Sequence, residues 1–131
     1  MQFVGLQYRD KVRWRQMSCL QRTEFLERCQ AYDNELRLFG YLQGTACVPT
    51  VRNAITIRNH HGQPSVQDGP LTEGNEQLMR IVILEAFDLN HAIALLSKHP
   101  LLWDGVFELH PVELTTQDNF SLSPRLIGEP R

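Results

Sequence analysis

Apolar positions along this chain change period several times, and the changes divide it into elements. From Phe3 to Tyr8, "FVGLQY" alternates, with Val4, Leu6 and Tyr8 on one face and Phe3, Gly5 and Gln7 on the other, which predicts a short strand stopped by the charges that follow. From Ser18 the step lengthens: Phe25, Cys29, Tyr32, Leu36 and Phe39 form one stripe along a helix, with Ser18 as N-cap and Gly40 as the C′ residue. "YLQGTACV" and "VRNAITIR" flank Pro49 and read as two short strands, and "NHHG" reads as a turn. The stretch from Gly62 to Leu78, "GQPSVQDGPLTEGNEQL", is crowded with turn formers and carboxylates and reads as a loop, in which Asp68, Gly69 and Pro70 set a turn. "LMRIVILEAF" (Leu78 to Phe87) is apolar on both faces through Ile81, Val82, Ile83 and Leu84, as in a central strand covered on both sides. Asp88 caps a second helix, "LNHAIALLSK", whose Leu89, Ala92, Leu96 and His99 share a face, with Pro100 at its exit. In the last strand, "VFELHPVEL", Phe107 and Leu109 alternate with Glu108 and His110. Residues 1–115 therefore form one domain, and the aperiodic stretch 116–131 reads as a tail.

The order strand, helix, two or three strands, helix, strand defines an α+β fold, a ferredoxin-like split β-α-β unit with an extra hairpin. Two helices cover one face of such a sheet. Ile81 to Leu84 offer side chains to both faces, so the second needs its own cover: an identical sheet in a face-to-face homodimer is the leading candidate, and the more polar C-terminal tail is the alternative.

Composition narrows the function classes. The formal charge of -2 over 131 residues comes from intermixed signs, so no field draws the chain onto nucleic acid or an acidic membrane, and neither is expected as a direct partner. "RDKVRWR" (Arg9 to Arg15) is a local basic cluster, read as a solvated strand-to-helix connection. The N-terminal residues lack a signal-peptide pattern and no apolar run reaches bilayer length, which leads to the expectation of a cytoplasmic protein. Cys19, Cys29 and Cys47 form no C-x-x-C pair and are expected to be reduced thiols in the core. Phosphate-loop, serine-hydrolase and zincin motifs do not occur, and no cofactor is expected.

"VQDGPLTEGNEQL", then a strand, then "DLNHAIALLSKHP", then "GVFELHPVEL" resembles the DGPF branch of the YCII-related proteins over nearly the whole chain. "LRLFGYLQGT" also resembles that family's helix end and following strand. The resemblance implies a ferredoxin-like dimeric α/β barrel and, for most members, an undefined activity. Leu71 replaces the family's phenylalanine, Asn75 its lysine, Met79 and Arg80 a Gly-Gly pair, and His110 its usual arginine. Losing that lysine and arginine removes two cations suited to an anionic ligand. Some relatives are thought to pair a histidine on the first helix with an aspartate after the second. Here no histidine precedes His60 and His99 follows the second helix, so that dyad is not carried over.

The candidate ligand-binding residues are Asp68, Glu73, Glu76, Arg80, Glu108 and His110. Glu108 and His110, two apart on a strand, share a face and form an acid-base pair with Glu76 assisting; against this, they only satisfy one another, or Glu108 pairs with Arg80 across the sheet. His60 and His61 point opposite ways and read as surface residues, His91 as exposed, and His99 as a cation or cap at a helix C-terminus, interacting with the last-turn carbonyls. The leading expectation is a homodimeric binding or accessory module with a small-molecule ligand in its cleft. The alternatives are a lyase-like or isomerase-like acid-base enzyme acting on a small organic compound, and a transcription-associated accessory protein acting through a protein partner.

Overall fold

The computed structural model describes residues 1–48, 54–71 and 74–113. Its order is β1 (Gln2–Asp10), α1 (Lys11–Gln16), α2 (Cys19–Leu38), β2 (Leu42–Cys47), β3 (Ile55–His60), β4 (Gln63–Asp68), β5 (Glu76–Glu85), α3 (Leu89–Ser97), a 3₁₀ turn (Pro100–Asp104) and β6 (Gly105–Pro111). Strands β2, β5, β1 and β6 form one antiparallel sheet in that order, and β3 and β4 pair as a separate hairpin. The α+β class holds. Pro49 to Asn53, Glu73 and the 116–131 tail lie outside the described residues.

The long helix starts as its sequence dictates. Ser18 Oγ accepts from the Gln21 N–H at 3.1 Å while Gln21 Oε1 accepts from the Ser18 N–H at 2.8 Å, a reciprocal cap. Gly40 beyond its end has φ +79°, where a side chain would be strained. Asp88 caps α3 through the His91 N–H at 2.8 Å. From these starts both helices lay their apolar stripes on the sheet, and Phe3, Leu36, Leu42, Val82, Leu84, Ala92 and Leu96 make the main core with Phe107 and Leu109 against it. The register pairs Leu6 with Ile81 and with Glu108, and Val4 with Ile83 and with His110, so these residues occupy the other face of the sheet. There Val4, Leu6 and Ile81 are half-buried and Val106 is exposed.

Several expectations need correction. The basic cluster is no plain connection: Asp10 accepts from the Val12 and Arg13 N–H groups and turns Lys11–Gln16 into a helix. The stretch read as a loop contains β4, whose turn formers sit in a fully exposed strand that no core pattern marks. Phe39 leaves its stripe and is 63% exposed. Cys29 is the one buried thiol; Cys19 and Cys47 are exposed. Among the described residues no helix is long and apolar enough to cross a membrane.

Candidate functional site

Polar groups converge inside the sheet-helix layer. On α2 the buried positions are Phe25, Cys29, Asp33 and Leu36, so a carboxylate occupies a place in the apolar stripe. Asp33 Oδ1 lies 2.7 Å from His99 Nε2, and its Oδ2 lies 2.8 Å from Arg80 Nη1. His99, 3% exposed, caps the 3₁₀ turn: its Nδ1 accepts from the Leu101 N–H at 3.1 Å. Because Nδ1 accepts, the ring proton sits on Nε2 and is donated to Asp33. The rings of Tyr32 and Phe107 pack on the imidazole at 5.1 and 5.6 Å. Arg80 reaches this cluster from β5, opposite the buried Gln7 of β1. A register shift between Gln7 and Tyr8 leaves Met79 without a partner on β1, next to Arg80. Arg80 Nε and Nη2 are buried and find no hydrogen-bond acceptor among the described residues.

A second pair lies nearby. Arg9 Nε donates to Asp104 Oδ2 at 2.9 Å, the guanidinium lies 3.8 Å from the centre of the Trp14 ring, and Asp104 Oδ1 is buried without a partner among the described residues. Burial pushes the Asp104 carboxyl up, and Arg9 offsets only part of that. Burial also acts to raise Asp33, but hydrogen bonds from His99 and Arg80, with the Arg80 charge, outweigh it and hold this carboxyl below its ordinary range. The Cys29 thiol is pushed up to about 11, first by burial and then by the Asp33 and Asp104 charges. At neutral pH it is a thiol, not a thiolate nucleophile.

The residues expected from sequence do not gather at one place. Glu108 and His110 do form a pair, with Oε2 and Nε2 3.0 Å apart, about half exposed on the other face of the sheet. Arg80 faces the helices and Asp33, so Glu108 does not pair with it across the sheet. Glu76 is exposed at the start of β5, opposite Asp10, and Asp68 is exposed at the end of β4. Beside it Gly69, at φ +100°, donates its N–H to Ala54 O at 2.8 Å and accepts from Thr56 Oγ1 at 2.8 Å, which fixes the Asp-Gly-Pro turn. The His99 side chain meets a buried carboxylate and caps the following 3₁₀ turn rather than the last carbonyls of α3, while His91 is half-buried, accepts from the Phe87 N–H and stacks on the Phe87 ring. His60 and His61 do not diverge: His61 takes a positive φ in the turn and the two rings touch at 4.4 Å. Among the described residues no group of three or more His, Cys, Asp or Glu converges as a metal site. Sequence reasoning missed Asp33, whose signal was available: a carboxylate four residues after Cys29, within the helix stripe. The resemblance implied histidine on the first helix and aspartate after the second; the long helix and the segment after α3 do meet through such a pair, with the residue types exchanged.

Comparison with known proteins places the chain. The model of the YCII-related domain matches residues 1–116, and the chain belongs to that family. Among solved structures it is similar to the 5-chloro-2-hydroxyhydroquinone dehydrochlorinase from Burkholderia phenoliruptrix AC1100, determined with 2,5-dihydroxybenzoquinone, at 13% identity and a TM-score of 0.52, over 91% of this chain and 100% of that one. At that identity the likeness concerns the fold. No curated protein matches the sequence.

Proposed function

We propose that this YCII-related domain binds a small organic anion, such as a carboxylate or an acidic phenol, through Arg80 beside Asp33 and His99. The observation that carries the reading is the pair of buried Arg80 N–H groups without an acceptor among the described residues. An unpaired buried donor costs about 1–3 kcal/mol, more when charged, so an arginine held this way is suited to receive an oxygen from outside the chain. The family's lysine and arginine are Asn75 and His110 here, and Arg80 supplies a cation where the family carries glycine. The structurally similar dehydrochlorinase was determined with a dihydroxybenzoquinone, itself a small acidic organic molecule. His99 Nδ1 is engaged and Asp33 is held ionised by two donors, so neither is a ready base at rest. The cluster favours holding or stabilising negative charge over abstracting a proton.

The architecture belongs to the same proposal. The order β2-β5-β1-β6 with α2 and α3 packed on one face supports a ferredoxin-like unit of the DGPF type. The half-buried Val4, Leu6 and Ile81 on the other face support a second copy of the chain there, closing a dimeric barrel. A second reading, acid-base catalysis by Glu108 and His110, is favoured by their 3.0 Å contact on the face that a second copy would cover.

Titration with 2,5-dihydroxybenzoquinone, followed by its visible absorbance, tests both. Arg80→Gln is expected to weaken binding at least thirtyfold, with Arg80→Lys intermediate and His110→Gln within twofold of the parent. Equal binding by parent and R80Q would overturn the Arg80 reading; loss of binding in H110Q alone would move the ligand to the Glu108–His110 face, and turnover of the quinone by the parent but not by H110Q would establish the second.

A further inference from the structure

The corner where α1, the first turns of α2 and the 3₁₀ turn meet holds a groove of about 520 Å³, within the range of small-molecule sites. We propose that it is a separate binding site for a planar aromatic monoanion of the aryl carboxylate class. Its lining includes Arg13, Glu24, Phe25, Arg28, Pro100 and Trp103, and none of the Asp33, Arg80 and His99 cluster. Phe25, 2% exposed, is the buried residue among them, and Cys29 and Asp33 follow it at successive turns of α2.

The walls are built to hold a flat ring. Trp103 is 56% exposed, unusual for so large an apolar surface, and both its backbone and its ring have partners in the groove wall. Arg13 Nη1 donates to the Trp103 carbonyl, the Arg13 guanidinium lies 5.7 Å from the indole centre, and Phe25 packs on the indole at 6.0 Å. Trp14 braces Phe25 from the far side at 6.4 Å. Its own carbonyl accepts two N–H bonds from Arg22, at 3.1 and 2.9 Å. A pinned, exposed indole offers a stacking surface at little entropic cost.

Charge selects the class. The lining holds two arginines, Arg13 and Arg28, and one carboxylate, Glu24, which leaves one net positive charge. Arg28 is exposed and makes no ion pair among the described residues, so its guanidinium is available to a carboxylate in bidentate geometry. Proline and tryptophan then bound the apolar end of the ligand.

Both tryptophans of the chain are Trp14 and Trp103 at this corner, so their indole N–H signals in a proton-nitrogen NMR spectrum report on it directly. Titration with benzoate is expected to shift the Trp103 signal saturably, at least tenfold more tightly than benzyl alcohol or acetate. Arg28→Gln is expected to weaken benzoate tenfold, Trp103→Leu to abolish saturable shifts at Trp14, and Arg80→Gln to change nothing at this corner. The proposal is overturned if benzoate leaves the Trp103 signal in place, if benzyl alcohol binds as well, or if R28Q and W103L, each with native spectral dispersion, bind as the parent does. An effect of R80Q equal to that of R28Q would also overturn it, by merging the two sites.

Discussion

At the scale of single residues, Asp33 and Asp104 are two buried aspartates with opposite relations to pH. Asp33 titrates below its unfolded value, so its stabilisation is complete above the ordinary carboxylate range and is lost as pH falls through the depressed folded value. Asp104 titrates above its unfolded value, so its contribution is complete at low pH and declines as pH rises through the raised value. Urea midpoints measured across the acid range are therefore expected to give difference curves of opposite slope: Asp33→Asn loses most relative to the parent near neutrality, and Asp104→Asn loses least there. Asp33→Ala removes the acceptor for both Arg80 and His99 and is expected to cost about 3–5 kcal/mol by denaturant unfolding. Periodicity counts apolar letters, and so it registered Cys29 and Leu36 while passing over the carboxylate between them, although burial treats all three alike.

Among elements, those with a core face were legible, and of those without one β3 was read from its alternation while β4 and α1 were missed. α2, α3 and β5 announce themselves because each buries a stripe, and their caps, Ser18 and Asp88, stand where the sequence places them. The β3-β4 hairpin buries almost nothing, so the turn chemistry of Gln63 to Asp68 dominated the reading and hid a strand. Helix α1 has no buried residue at all, and its one signal is Asp10, which doubles as the last residue of β1. The junction of the 3₁₀ turn with β6 depends on Gly105, where an added Cβ would fall 1.9 Å from the Tyr8 carbonyl oxygen. Gly105→Ala is expected to force β6 from β1 and destabilise the domain by roughly 4 kcal/mol or more, read as a loss of the thermal transition, an effect in the exceptional range for one methyl group.

Across the whole molecule the sheet has two unlike faces. The helix face carries the core and the buried charges, and the other carries half-buried Val4, Leu6 and Ile81 beside Glu108 and His110. Sedimentation at micromolar concentration is expected to show a dimer, and the pair Leu6→Lys with Ile81→Glu to yield a folded monomer; a parent that sediments only as a monomer would remove the second copy from the proposal. The two-faced sheet was legible from Ile81 to Leu84, because apolar letters on both sides of one strand call for cover on both. The candidate site was not, since it joins residues 66 positions apart in the chain, Asp33 and His99, which no local pattern connects. That join has one more consequence. Both nitrogens of the His99 ring are engaged, Nδ1 by the Leu101 N–H of the turn it closes and Nε2 by Asp33 on the long helix, so one imidazole staples α2 to the 3₁₀ turn. The entry to β6 thus hangs from the middle of α2 through a single side chain, and His99→Leu is expected to loosen both attachments at once, read as faster amide exchange at Leu101.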